Sequence, residues 1–557
     1  MTIKSNYRIL TLIGLSLCSA GGAYAQPDAG ALQQQIENEQ KVPLPGPLAL
    51  EPSTVSASVT EGGVALSVRE FHFTGNSLLS SQVLSAAIAD YVDRPINFSQ
   101  IQAAATTIAN VYREAGWVVR VFLPQQDILD GIVTIQIVEA SFGKVVVDGQ
   151  PKRLSAAQAV ARIDAQQKAG QPVNTHAIDR GLLLADDLPG LNATGYLRAG
   201  DVAGQTDLGL NLQDEALWAG AISADNTGSR STGESRLSGR FYLNSALSYG
   251  EQISTQVIDS TGSNYFRLGA SLPVGADGWR IGMNASRFDY RLVSSEFKSL
   301  KAEGVANSTG LEASYPLIRS RLRNLYFNTN FDHRTFKNTT VAGTTSDYNI
   351  RSGSFGLTGN MFDSWSGGGV TSASVVLTQG RVQLARLDLS EDRNLQGDFS
   401  KLRYSLSRQQ RLTSLLSMSA VYSGQWSNDN LDSSEKMYLG GAAGVRAYPS
   451  NEGSGARGQM LNVDLRLQLP YNLSASTFYD WGRVTQNIDN RLLDAAENSY
   501  SLKGHGLSLG WQPGFGMSVQ ATWARRDGSN PNRSATGLDQ DGSLDKNRWW
   551  LSANLLF

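Results

Sequence analysis

The chain reads as an all-β transmembrane barrel of 16 antiparallel strands, preceded by two small α+β modules of order β-α-α-β-β. Three observations carry that reading. Residues 216–557 alternate apolar and polar side chains in segments of about 10–14 residues, divided by clusters of Gly, Asn, Asp and Ser. This is the pattern of strands with one face to lipid and one to a lumen. Beyond residue 25 no run of 18 consecutive apolar residues occurs, so no transmembrane helix is expected. Only 18% of residues are charged, against about 25% in average soluble proteins, while the 56 glycines, 10 Trp, 19 Tyr and 18 Phe suit a turn-rich β protein. A formal charge of −2 gives no electrostatic reason to bind nucleic acid. With 41% apolar residues, the chain can support a core.

Residues 1–25 read as a secretory signal. Lys4 and Arg8 form a basic start, Ile9 to Leu17 a short apolar run, and Ala23-Tyr24-Ala25 a small-x-small cleavage site. The single cysteine, Cys18, lies inside this segment, which leaves the exported chain without thiols for disulfides, catalysis or metal binding. In residues 26–60, Asp28 to Gln40 can form a short helix with Leu32 and Ile36 on one face. Such a helix is marginal in water by itself, so the residues alone favour a disordered tail. Pro43, Pro45, Pro47 and Pro52 then make an extended linker.

Residues 61–140 form the first module. A strand from Val68 to Phe73 turns at Gly75. Val83, Leu84, Ala87, Ile88 and Tyr91 recur at helical spacing, and a second helix opens at Asn97 with Gln100 three residues on, a capping-box pattern. Strands Trp117 to Leu123 and Ile132 to Val138 close the unit. Residues 141–214 repeat the order, with landmarks 68 and 142, 75 and 149, 117 and 191, and 132 and 206 all 74 residues apart. Residues 215–557 then divide into eleven strands before about residue 430 and five after 458. An even number lets one antiparallel sheet close with both ends on the same side. The last strand shows the alternation best: Trp549, Leu551, Ala553, Leu555 and Phe557 face lipid, and Arg548, Trp550, Ser552 and Asn554 the lumen.

No pattern calls for catalysis, a metal or a cofactor. Gly506-Leu507-Ser508-Leu509-Gly510 matches G-x-S-x-G but lies within an alternating strand, whereas a nucleophile elbow needs a strand, a strained turn and a helix. His72, His176, His333 and His505 have no ligand spacing. The longest connection, about 429–458, holds Val445-Arg446-Ala447-Tyr448-Pro449. An Arg flanked by packing residues suits a loop folded into the lumen, where it requires a carboxylate. Alternation in Phe478-Tyr479-Asp480-Trp481 places Phe478 and Asp480 on one face and the two other aromatics on the opposite one. Asp480 is then a candidate partner for Arg446, the alternative being a lone luminal Asp in a wet pore.

Four stretches in this order resemble a family. Phe122-Leu123-Pro124-Gln125-Gln126-Asp127, followed by Asp130-Gly131, is similar to the strand-turn signature of the first periplasmic POTRA module in two-partner secretion (TpsB-type) outer-membrane transporters, the ShlB/FhaC/HecB haemolysin secretion and activation family. Leu183 to Asp187 with Leu188-Pro189-Gly190 resembles the end of a helix in their second module. Val445 to Pro449 resembles their V-R-G-[FY] loop motif, with Ala447 in place of Gly, and Phe478-Tyr479-Asp480 their F-x-D strand motif. Because Ala does not tolerate positive φ as Gly does, either the loop tip takes an ordinary backbone conformation or its lock is looser.

The resemblance implies export, without ATP, of one large β-helical partner such as an adhesin, haemolysin or contact-dependent inhibition toxin. The partner's N-terminal secretion domain would be captured by the POTRA modules, including the 122–127 and 188–190 stretches. The helix within 28–40 would plug the pore, and Arg446 would lock the loop to Asp480. Phe557 would act as the outer-membrane insertion signal read by the barrel assembly machinery. Alternatives are an assembly factor of the same superfamily or a porin.

Overall fold

The computed structural model describes residues 27–38, 66–128, 130–385, 395–490, 497–534 and 537–557. The signal segment 1–25 and the Pro-rich linker lie outside the described residues. Helix α1 spans Ala29–Asn38, and the Asp28 carboxylate accepts the Ala31 N–H at its start.

The first module runs β1 (Leu66–Val68), β2 (Glu70–Thr74), α2 (Ser81–Ala87), β3 (Arg94–Ile96), α3 (Phe98–Glu114), β4 (Val119–Phe122) and β5 (Ile132–Glu139). The expected β-α-α-β-β order thus gains a short strand, β3, which pairs with β1 and buries Val68 and Ile96. Asn97 and Gln100 form the expected capping box. The second module runs β6 (Ser141–Asp148), α4 (Ala156–Gln166), α5 (Thr175–Asp186), β7 (Leu191–Ala199) and β8 (Gln205–Asp214). Both three-stranded sheets have one topology. β5 lies between parallel β2 and antiparallel β4, and β8 between parallel β6 and antiparallel β7. Each sheet packs its own apolar core against its helices.

The barrel begins with β9 (Trp218–Asp225), β10 (Arg236–Asn244), β11 (Gln252–Ser260), β12 (Ser263–Val274) and β13 (Trp279–Arg291). A tall wall follows: β14 (Glu303–Arg319), β15 (Arg323–Thr340), β16 (Gly343–Asp363), β17 (Gly369–Leu384) and β18 (Gly397–Arg411). Then come β19 (Leu416–Ser427), the two-residue pair β20 (Met437–Tyr438) and β21 (Ser454–Gly455) inside the long loop, and β22 (Arg457–Gln468). β23 (Leu473–Thr485), β24 (Ser499–Gly514), β25 (Met517–Arg526) and β26 (Asn547–Leu556) complete the chain. Leaving out β20 and β21, β9 to β26 form one closed sixteen-stranded antiparallel barrel.

Closure is made where β26 meets β9, Ser552 to Leu556 against Asp225 to Ala221. Phe557 extends it by exchanging both backbone hydrogen bonds with Gly220. A Cβ on Gly220 would stand 2.7 Å from the Phe557 ring, so only Gly lets that ring lie across the seam between Trp218 and Phe241.

Candidate functional site

The loop between β19 and β22 leaves the barrel wall and folds back into the lumen. Its tip is a tight turn. Val445 donates its N–H to the Leu439 carbonyl at 2.7 Å and Gly444 to that of Gly441 at 3.0 Å. A Cβ at Gly444 would lie 2.0 Å from the Leu439 oxygen, so the glycines before Val445 are required by backbone crossing at this point. Val445, Ala447 and Tyr448 are fully buried.

This turn aims Arg446 at two strands. Nε and Nη2 donate to the Asp480 carboxylate at 2.9 and 2.7 Å, and the Arg446 backbone N–H adds a third bond to it at 3.0 Å. Nη1 and Nη2 donate to both oxygens of Asp464 on β22 at 2.9 and 3.1 Å. The guanidinium lies 3.5 Å from the centroid of the Phe478 ring. Asn462 ties Asp480 to the Gly444 carbonyl, and the Trp550 indole N–H donates to the Arg446 carbonyl at 2.8 Å. Asp480 has no exposure at all. Two planar forks satisfied by one guanidinium are the strongest arrangement available to a buried carboxylate.

The flanking residues complete the seat. Ala447 is not among the residues with positive φ, so the loop tip has an ordinary backbone and Ala is accommodated. Its methyl presses on β24 where there is no side chain, since a Cβ at Gly504 would stand 2.4 Å from that of Ala447. Arg526 lies over the Tyr448 ring at 4.7 Å and is itself paired with the buried Asp539 of the β25–β26 connection. The Pro449 carbonyl accepts from Glu452, which turns the chain back. Sequence reasoning brought Arg446, Phe478 and Asp480 together but missed Asp464, Asn462, Trp550 and Arg526. All four share the inward phase of their strands, which is the one signal that could have marked them.

Helix α1 occupies the lumen beside this loop. Leu32 and Ile36 join a luminal cluster with Tyr265, Phe288, Tyr290 and Phe336. The Asn338 side chain accepts the Ala29 N–H, and Gln34 donates to the Lys436 carbonyl. Gly30 fits against the loop segment Ser433–Glu435, where a Cβ would meet Ser433 Oγ at 2.8 Å. Glu435 anchors that segment to the tall wall through Arg334 and Lys401.

The module residues fall in two places. Gln126 takes both the N–H and the carbonyl of Thr134 through its side-chain amide, continuing the sheet past the end of β4. Leu123 packs on the module core, while Phe122, Gln125 and Asp127 are exposed. Leu188, Pro189 and Gly190 lie at the joint with the barrel. Leu188 is buried and faces Gly250, the Ser245 hydroxyl donates to the Pro189 carbonyl, and Gly190 abuts Asn244. Arg319, which forks onto Asp187 at 2.8 and 2.9 Å, strengthens the same joint.

A family model described as haemolysin secretion/activation protein ShlB/FhaC/HecB matches residues 204–510, and one for a ShlB-type POTRA domain matches residues 66–140. The chain belongs to the ShlB/FhaC/HecB family. Among its relatives, the heme/hemopexin transporter protein HuxB of Haemophilus influenzae is 24% identical over 99% of both chains. The outer membrane transporter CdiB of Dickeya dadantii is 25% identical over 78% of this chain and 76% of its own. The solved structure of CdiB from Escherichia coli shares the fold, with a TM-score of 0.73 at 21% identity over 96% of this chain and all of that one. As a family member the chain is an outer-membrane transporter of two-partner secretion, with its POTRA modules in the periplasm.

Proposed function

We propose that this transporter exports one dedicated, large β-helical exoprotein through its barrel, and that α1 and the Arg446 loop close the pore at rest. Relatives named for heme/hemopexin and hemolysin transport suggest a client of that kind or a contact-dependent inhibition toxin. One observation carries the reading. The lumen holds two obstructions, the loop fixed by an ion-paired side chain and α1 by a short helical face, and neither is part of the wall. No ATP is needed, because folding of the client outside the cell opposes its return.

Capture of the client's N-terminal secretion domain is best served by β7, the outer strand of its sheet. Asp186 takes the N–H of Ala193, which shows that this phase points away from β8. Gly195 and Leu197 share the phase on an exposed stretch. A client strand can pair there by adding to the edge. Phe557 is the natural terminal signal for the barrel assembly machinery.

Comparative mass spectrometry of culture supernatant and outer membrane, with and without this gene, tests the proposal. Loss of one very large secreted protein with other barrels unchanged supports it. A general fall in barrels, or no change in either fraction, overturns it.

A further inference from the structure

The outer surface of the barrel carries arginines on two sides, and they are not treated alike. Arg381 of β17 forks onto Asp398 at 2.6 and 2.8 Å, and Arg287 of β13 onto Asp289 at 2.8 and 2.7 Å, while Arg351, opposite Arg381, stands exposed without an ion pair among the described residues. On β23 to β25 the outward, exposed Arg483, Lys503 and Arg525 make no ion pair among the described residues. The one acid in this row among the described residues, Asp527, lies across from Lys503, hydrogen-bonds His505 at 2.8 Å and offsets at most one of the three charges.

Register sets these cations close together. Arg483 stands opposite Ser501, Trp481 opposite Lys503, and His505 opposite Arg525. Arg483 and Lys503 are therefore diagonal neighbours, as are Lys503 and Arg525, at about 7–8 Å spacing. Like charges so placed repel unless an anion lies between them.

Their height identifies the anion. Below them the outward residues are apolar or aromatic: Tyr479, Trp481, Leu507, Trp523 and Trp549. Lys503 stands eleven residues from Gly514 at the periplasmic end of β24. A strand rising about 3.3 Å per residue at a tilt of about 40° climbs about 28 Å over that stretch, just above an apolar band about 25 Å tall. The cations thus stand at the headgroup level of the outer leaflet, above an aromatic girdle.

We infer that Arg483, Lys503 and Arg525 form a binding site for the phosphoryl groups of an outer-leaflet glycolipid; the inference rests on the outer-membrane placement of the barrel. Guanidinium forks and an ammonium around one or two phosphates neutralise the repulsion the register imposes. Bound lipid would brace the barrel quarter that includes β22 and β23, the strands carrying Asp464 and Asp480.

Native mass spectrometry of the full chain in detergent, titrated with diphosphoryl lipid A, tests this. The R483Q/K503Q/R525Q variant should bind at least about tenfold more weakly, and fully dephosphorylated lipid A should bind wild type no better than it binds the variant. The single variant R525Q, which leaves most of the surface intact, should show a smaller loss in the same direction. Heat-modifiable migration confirms that each variant is folded. Equal binding by wild type and R483Q/K503Q/R525Q, or by R525Q if the triple variant does not fold, would overturn the inference. So would equal binding of the dephosphorylated lipid, an equal loss in R381Q on the tall wall, or saturation of wild type by inorganic pyrophosphate alone at the same concentration.

Discussion

The two obstructions in the lumen are held by different physics. Arg446 spends four guanidinium N–H bonds on two carboxylates and sits against an aromatic face, with Asp480 fully buried beneath it. Helix α1 has ten residues, too few to be stable in isolation. Seven of its residues are buried, Leu32 and Ile36 the large apolar ones among them, and the Gln33 and Gln34 side-chain oxygens are buried without a hydrogen-bond partner, as are Asn451 Nδ2 and Arg526 Nε at the loop seat. Unsatisfied buried acceptors cost stability. Under the proposed function, the ion-paired loop seat is the one that holds and the helix seat, without an ion pair of its own in the described contacts, the one that releases. Segment Ser433–Glu435 lies between them, so departure of the helix uncovers the base of the loop before the lock itself is touched.

Breaking the loop seat should give the largest effect. Arg446→Ala strands Asp480 as a buried unpaired charge, and losing one partner of such a pair costs about 3–5 kcal/mol. We expect the barrel to insert, denaturant stability to fall by that order, and secretion to drop sharply. Next, Gly504→Ala should drive a methyl into Ala447 and cost about 1–3 kcal/mol, as overpacking does. Adding Ala447→Gly to that variant should recover most of the loss in the same unfolding assay. A double-mutant cycle without coupling would show that the contact is not the cause. Breaking the helix seat should leave stability nearly unchanged. Leu32→Ser with Ile36→Ser should instead raise ion conductance in planar bilayers, whereas Arg446→Ala alone should raise it less.

The smallest effect lies outside the lumen. Burial pushes the Glu139 carboxyl up, but the Ser77 hydroxyl, the Leu78 and Ser77 N–H groups and the Tyr112 hydroxyl outweigh it and leave the group below its ordinary range. A lowered folded value contributes stability above the ordinary carboxyl range that is lost as pH falls through the folded value. Acid should thus loosen the first module, read by protease sensitivity of the full chain. Glu139→Gln should be less stable by about 1 kcal/mol at neutral pH and lose that acid dependence.

Much of this was legible in the sequence, for identifiable reasons. Alternation with period two marks lipid and lumen faces directly, and the eleven strands expected before about residue 430 and the five after 458 are β9–β19 and β22–β26. The same alternation turned Asp480 inward and made its pairing with Arg446 readable. Asp464 was missed because its pairing opposite Phe478 depends on inter-strand register, which one strand's pattern does not encode. β3 was missed because three residues including Pro95 carry no local signal and form only against β1. Leu188–Gly190 look like a surface motif at a helix end, yet they contact the distant Asn244–Gly250 turn. The substitution at Ala447 could be read as tolerable only once Gly504 was seen beneath it.

The unequal hold on the two obstructions is best tested by hydrogen–deuterium exchange of the full chain in detergent or nanodiscs. Amides of Ala29–Asn38 should exchange at least about tenfold faster than those of Val445 to Tyr448, which corresponds to a difference of about 1.4 kcal/mol in opening free energy. Equal rates, or faster exchange in the loop, would contradict the account.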